Sequence, residues 1–206
     1  MPLNTTVKTE VGKNIEKYEG RIPHLYLDTV GKVTVGVGHL VANKAAMGSV
    51  PMYKKGANNL LSLATDAEKY TEYDNIKKQS FGRSYTAASF KKYTTLVMKD
   101  TDMDTQRDKH IQSFYKELSG YYTKANGFAK AFDGMPLDVQ KALFDMVFNL
   151  GITKLKKQYT KMNDFIKTTS WEDAAKQSNR IGISATRNKY VFDLFKAAHN
   201  QKPKTP

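Results

Sequence analysis

Residues 19–39 read EGRIPHLYLDTVGKVTVGVGH, and the change of pattern inside this stretch decides the fold. Upstream of it, Val11, Ile15 and Tyr18 recur at helical spacing and Gly20 follows as a stop signal, so a helix is predicted over 8–19 with Glu19 in its last turn. Downstream the period drops to two. Leu25 and Leu27 alternate with Tyr26 and Asp28, and Val33, Val35 and Val37 alternate with Thr34 and Gly36. Thr29-Val30-Gly31, a three-residue loop with glycine last, is a common hairpin connection. Pairing Asp28 with Lys32 and Tyr26 with Thr34 puts His24, Tyr26, Asp28, Lys32, Thr34 and Gly36 on one polar face. The leucines and valines share the other face, which is expected to be buried.

Working outward, residues 41–64 carry glycine, proline and asparagine and read as mostly irregular. Thr65, with Glu68 three residues on, is a capping-box pattern that opens a helix over about 65–79. The polar and aromatic stretch 80–100 is expected to hold a short hairpin or loop, and 104–118 a helix. The C-terminal half reads as helical. Asp133 and Pro136 open a segment that runs to Leu150 and stops at Gly151. A helix over 158–168 follows, then one capped by Ser170 with Asp173 at its third position, then one from Ser184 to about 197. The tail HNQKPKTP is expected to fray. The fold class that results is α+β: one domain over 1–206 with two lobes. The small hairpin lobe covers about 20–64 together with the N-terminal helix, and the helical lobe about 65–198.

The composition fits this picture. The chain has 206 residues, 40% hydrophobic and 26% charged, enough for a real core. No stretch approaches the ~20 apolar residues of a membrane span. The first 20 residues lack the apolar run of a secretory signal. There is no cysteine, which excludes disulfides and thiolate chemistry, and the four histidines show no metal-ligand spacing, so neither metal nor cofactor is expected. The formal net charge of +13 favours a polyanionic partner, such as nucleic acid, anionic lipid or a bacterial wall polymer, over a merely soluble surface. Charge alone suggests nucleic acid; no helix-turn-helix or stacking platform supports it, and none is expected as a partner.

Two carboxylates in contrasting surroundings are what acid-assisted cleavage of a glycosidic bond requires. Glu19, at the helix end across from the hairpin's polar face, is the candidate general acid. Asp28, on a solvated turn, is the candidate for orienting a water or stabilising positive charge on a sugar ring, and Thr34 for holding the attacking water. The plainer explanation is that Glu-Gly commonly closes helices and Asp commonly occupies turns.

The combination is more specific than its parts. EG followed by YxDxxGxxTxGxGH resembles the phage-type lysozymes of glycoside hydrolase family 24, and Glu19, Asp28 and Thr34 fall on that family's catalytic Glu, Asp and Thr. ALFDMVFNLG (142–151) is similar to its long central helix, and WEDAAKQSNRIGIS (171–184) with Arg187-Asn188 to its later helix pair. The middle, about 41–125, matches poorly. A longer middle with NRxGIS is also similar to lysozyme-like domains of secreted antibacterial effectors, including type VI secretion cargo. The resemblance implies a two-lobed lysozyme-like fold with the cleft between lobes. It implies an inverting muramidase that cuts the β-1,4 bond between N-acetylmuramic acid and N-acetylglucosamine in peptidoglycan, with carboxyls about 6.5–9.5 Å apart. It further implies a monomer acting in the periplasm or cell wall on glycan strands and an anionic wall surface. Delivery would be by holin release or a secretion system, with an immunity protein as a partner in the second case. Tyr26 and Gly36 on the polar face, and Asp145, Asn149 and Arg187 in the helical half, are the expected substrate-binding residues. For Asp145, a polar residue on a helix face over the core weighs as heavily, and for Arg187 a simple inter-lobe salt bridge. His39 reads as structural, Trp171 as core, and Lys154, Lys156, Lys157 and Lys161 as a solvated face.

Overall fold

The computed structural model describes residues 2–201 and gives an α+β fold with a small β-containing unit and a larger helical unit. Contacts divide the chain into residues 15–109 and a second unit made of 1–14 with 110–206. The division falls within helix α1 (Thr5–Glu19) and helix α4 (Asp100–Tyr121). The β-containing unit therefore extends well past residue 64, where the hydrophobic pattern ended the small lobe.

In residues 15–109, α1 stops at Gly20, whose φ of +76° reverses the chain. Strands β1 (Ile22–Leu27), β2 (Val33–Gly36) and β3 (His39–Leu40) form an antiparallel sheet in that order. The register pairs Tyr26 with Thr34 and Leu27 with Val33, and the Asp28 amide donates to the Lys32 carbonyl at 2.9 Å, as the alternation requires. The ladder then slips. Between the pairs Ile22–Gly36 and Tyr26–Thr34, β1 holds residues 23, 24 and 25 against Val35 alone. This bulge carries His24 inward, where it is buried with Nε2 2.9 Å from the Ala87 carbonyl oxygen. The expected open polar face is thus closed at His24, Thr34 and Gly36, all buried.

The cover comes from the middle of the chain, which is more ordered than its composition suggested. After helix α2 (Lys44–Met47), strands β4 (Tyr53–Lys55) and β5 (Leu61–Leu63) pair, and β6 (Leu96–Val97) adds to the other edge of β4. The stretch 80–100 holds no hairpin of its own; it carries a 3₁₀ segment, Ala87–Tyr93, and β6. That segment, β6 and helix α3 (Asp66–Lys77) pack against β1, and α3 also against β2. Helix α3 opens with the expected capping box: Thr65 accepts from the Glu68 amide while Glu68 reaches back to the Thr65 amide. Leu25, Val33, Val35, Met47, Met52, Ile76 and Phe90 make the core.

The helical unit contains residues 5–14 of α1, 110–121 of α4, α5 (Leu137–Gln158), α6 (Thr160–Lys167), α7 (Trp171–Lys176) and α8 (Ala185–Asn200). Gly151, at φ +71° and ψ 156°, breaks α5 where the sequence placed its stop. Helix α8 packs on α5 and α7, and α6 on α7, around Leu143, Phe144, Met146, Trp171, Val191 and Phe195. Ser184 caps α8 through a 3.3 Å bond from the Arg187 amide. Ser170 precedes α7 but makes no side-chain cap bond; its hydroxyl pairs with Thr168 Oγ1 at 3.0 Å instead. Helix α8 includes His199 and Asn200, and the rest of the tail from residue 202 lies outside the described residues.

Candidate functional site

Glu19 is the last residue of α1, and its place is fixed from both sides along the chain. One turn earlier, Glu16 binds Arg21 at 2.8 Å and also Arg107. Arg21 extends to Asp100 at 3.0 Å and Asp104 at 2.9 Å, and Arg107 to Asp104 at 3.2 Å and Asp108 at 2.9 Å. Burial opposes the charge on both guanidiniums, but the surrounding carboxylates outweigh it and raise their pKa. The end of α1 is thereby fastened to the first turns of α4 by a network of bidentate-capable arginines rather than by isolated pairs. On the other side, Gly38 lies against the Glu19 side chain. A Cβ at residue 38 would stand 3.2 Å from Glu19 Cγ and 3.3 Å from Oε2, and its φ is +68°.

Asp28 closes the hairpin turn. Its Oδ1 accepts from the Val30 amide at 2.9 Å and the Lys32 amide at 2.8 Å, so the carboxylate is held by the backbone of the loop it starts. Both bonds fall on one oxygen. Thr34, directly across from Tyr26, is 6% exposed, and its hydroxyl donates to the Lys32 carbonyl at 3.2 Å. Tyr26 reports on the electrostatics of the group. Burial pushes its phenol up to about 12, and the charges of Glu19 and Asp28 add to the push. Both acids therefore act on one half-buried phenol, and these residues with Thr34 form one cluster within the 15–109 unit.

Gly36 does not line an open face as expected. Its φ is +67°, and a Cβ there would stand 2.8 Å from Gln106 Oε1 and 3.3 Å from Met98 Sδ. The glycine permits close packing against α4 and against Met98, which follows β6.

The three candidates from the helical half lie together in the other unit, and all three bond to one buried arginine, Arg180. Asp145, 3% exposed, is enclosed: Oδ1 accepts from Asn14 at 3.1 Å and Arg187 Nε at 3.0 Å, and Oδ2 from Arg180 at 2.7 Å. Both its oxygens thus accept from protein donors. Arg180, 1% exposed, is the hub. Besides Asp145 it donates to Asn149 Oδ1, to the Arg187 carbonyl at 3.0 Å and to Asn188 Oδ1 at 3.1 Å. Arg187 also lies over the Phe148 ring, 5.7 Å from its centroid. Reading by residue type missed Arg180. The signal available was Asp145 itself, since an acid among apolar helix positions demands a buried cation.

Trp171 is buried, as is Tyr122, whose hydroxyl donates to Asn163 at 2.8 Å. Lys154, Lys156, Lys157 and Lys161 are exposed. Among the described residues no group of three His, Asp or Glu is placed to hold a metal ion, and no helix is long and apolar enough to cross a membrane. No family model matches the chain, and no curated protein matches it.

Proposed function

We propose that the chain is a muramidase that hydrolyses the β-1,4 bond between N-acetylmuramic acid and N-acetylglucosamine in peptidoglycan, by single inverting displacement and without cofactor. The observation that carries the reading is that Glu19 at the end of α1, Asp28 at the hairpin turn and Thr34 across from Tyr26 belong to one unit, with the charge of both acids felt at the Tyr26 phenol. Glu19 would protonate the departing glycosidic oxygen. Asp28, whose Oδ1 is fixed by two loop amides, would use its other oxygen to orient water or to face the positive charge that grows on the sugar ring. Thr34 would hold that water by turning its hydroxyl from the Lys32 carbonyl. Buried as it is, Thr34 acts only if the cover over β2 admits a water molecule.

The reading places the protein at bacterial wall glycan, in the periplasm or cell wall, as a phage endolysin or secreted antibacterial effector. The test is digestion of purified sacculi followed by mass spectrometry. Wild type is expected to release muropeptides with a reducing N-acetylmuramic acid end. Glu19→Gln is expected to lose about 10²-fold or more of that rate with unchanged thermal unfolding. Products ending in N-acetylglucosamine, or full activity in Glu19→Gln, would overturn the assignment.

A further inference from the structure

We propose that the 15–109 unit carries an accessory sugar-binding groove along α3, built from the part of the chain that least resembles a lysozyme. Two cavities meet there and share Tyr93 as a common wall. The larger, about 310 Å³, is bounded by Glu68, Thr71 and Asn75 on one face of α3, by Lys54 of β4 and by Thr95 before β6. The smaller, about 150 Å³, lies between Gln79, Ser80, Tyr85 and Ser89. Tyr85 and Tyr93 are both exposed, although aromatic side chains favour burial.

The wall chemistry selects the ligand class. In the larger cavity the one exposed ion pair, Lys54 on Glu68 at 2.8 Å, cancels itself. Glu72 stands behind it, 4% exposed, with Oε2 accepting from the Thr95 and Leu96 amides and Oε1 without a partner among the described residues. The smaller cavity adds a single cation, Lys92, 5.0 Å over the Tyr93 ring centroid. Such walls offer no cluster of cations to a phosphate and no open carboxylate cage to an amine. They offer aromatic surface beside an amide and hydroxyls, which suits a neutral ring with an apolar C–H face and hydroxyl rim. A pyranose fits that description. Two adjoining pockets suit consecutive rings of a β-linked strand, one on each side of Tyr93.

The groove also continues toward the acids. Phe81, exposed and next in the chain after Ser80, lies on Gly31 at the hairpin tip, where a Cβ would stand 2.7 Å from its ring. Gly31 in turn donates to the Asp28 carbonyl at 3.0 Å. The assignment of an aminosugar strand rests on the muramidase reading; the assignment of a neutral sugar does not.

The test is a titration of ¹⁵N-labelled Glu19→Gln protein with the soluble trisaccharide of N-acetylglucosamine, read by amide chemical shifts. Saturable shifts are expected at residues 71–75, 79–80 and 93–96. Tyr93→Ala is expected to weaken that binding about tenfold, and Tyr93→Phe to keep it within about twofold, since the ring face rather than the hydroxyl makes the contact. Tyr93 is exposed, so both variants should unfold near the wild-type temperature. No saturable shift within residues 67–96, or shifts indifferent to Tyr93→Ala, would overturn the groove. The two readings fail separately: saturable shifts together with a wild-type protein inactive on sacculi would remove the muramidase and keep the groove, and wild-type activity without shifts would do the reverse.

Discussion

Gly38 and Asp145 show how single residues hold the two candidate regions. A methyl group at residue 38 meets Glu19 at 3.2–3.4 Å, and the φ of +68° strains any L side chain. Gly38→Ala is therefore expected to displace the Glu19 carboxyl as well as to destabilise. Its sacculus-digesting rate should fall more than its loss of about 1 kcal/mol in stability explains. Wild-type rate in a folded Gly38→Ala protein would detach this glycine from catalysis. Asp145 carries a different weight, because removing it leaves Arg180 enclosed without its counter-charge. Asp145→Ala is expected to cost about 3–5 kcal/mol in urea unfolding. A cost below about 1 kcal/mol would mean that water or a neighbour replaces the carboxylate. Glu19, Asp28 and Thr34 stood out as candidates through the resemblance of their spacing to a known motif, since helix ends and turns commonly carry such residues. Arg180 did not, although it lies in the NRxGIS stretch, because charged residues are ordinarily exposed and the stretch alone does not mark which of its residues is enclosed.

At the scale of elements, α3 is the piece whose start could be read outright and whose surroundings could not. Its capping box depends on Thr65 and Glu68 alone, a local pattern, and Thr65→Ala is expected to lower stability by about 1 kcal/mol, measured as a shift of the urea midpoint. The sheet beside it was invisible. Strands β4, β5 and β6 are two or three residues long, too short for alternation to register, and β6 reaches β4 across the whole of α3. The bulge in β1 was equally hidden, since its two extra residues preserve the apolar look of the strand while turning His24 inward. Helix α3 also carries a pH dependence. Burial raises the pKa of Glu72, against the opposing pull of the Thr95 and Leu96 amides and the nearby His24. A carboxyl with a raised folded pKa contributes stability that is present below its unfolded value and lost as pH rises through the folded one. Glu72→Gln removes that loss. Its thermal midpoint relative to wild type is expected to be higher at about pH 7 than at about pH 4. An equal difference at both would show that Glu72 does not titrate on unfolding.

For the molecule as a whole, the charge of +13 is a property that no single contact accounts for. Exposed lysines such as Lys154, Lys156, Lys157 and Lys161 contribute to it without obligatory partners in catalysis. Retention of the Glu19→Gln protein on anionic sacculi should therefore fall steeply as salt is raised from about 0.01 M to about 1 M, which shortens the screening length from about 30 Å to about 3 Å. Salt-independent retention would assign adhesion to sugar contacts instead. The α+β class and the order hairpin-then-helices were readable from periodicity, whereas the grouping of residues 1–14 with 110–206 was not, because nothing in a local pattern says which distant partner a helix face will meet. That grouping has a temporal consequence. Residues 15–109 are continuous, but residues 1–14 must wait for partners made nearly a hundred positions later. Synthesis thus precedes burial by a long interval for residues 1–14, and a polypeptide stalled after Lys109 would leave the start of helix α1 uncovered.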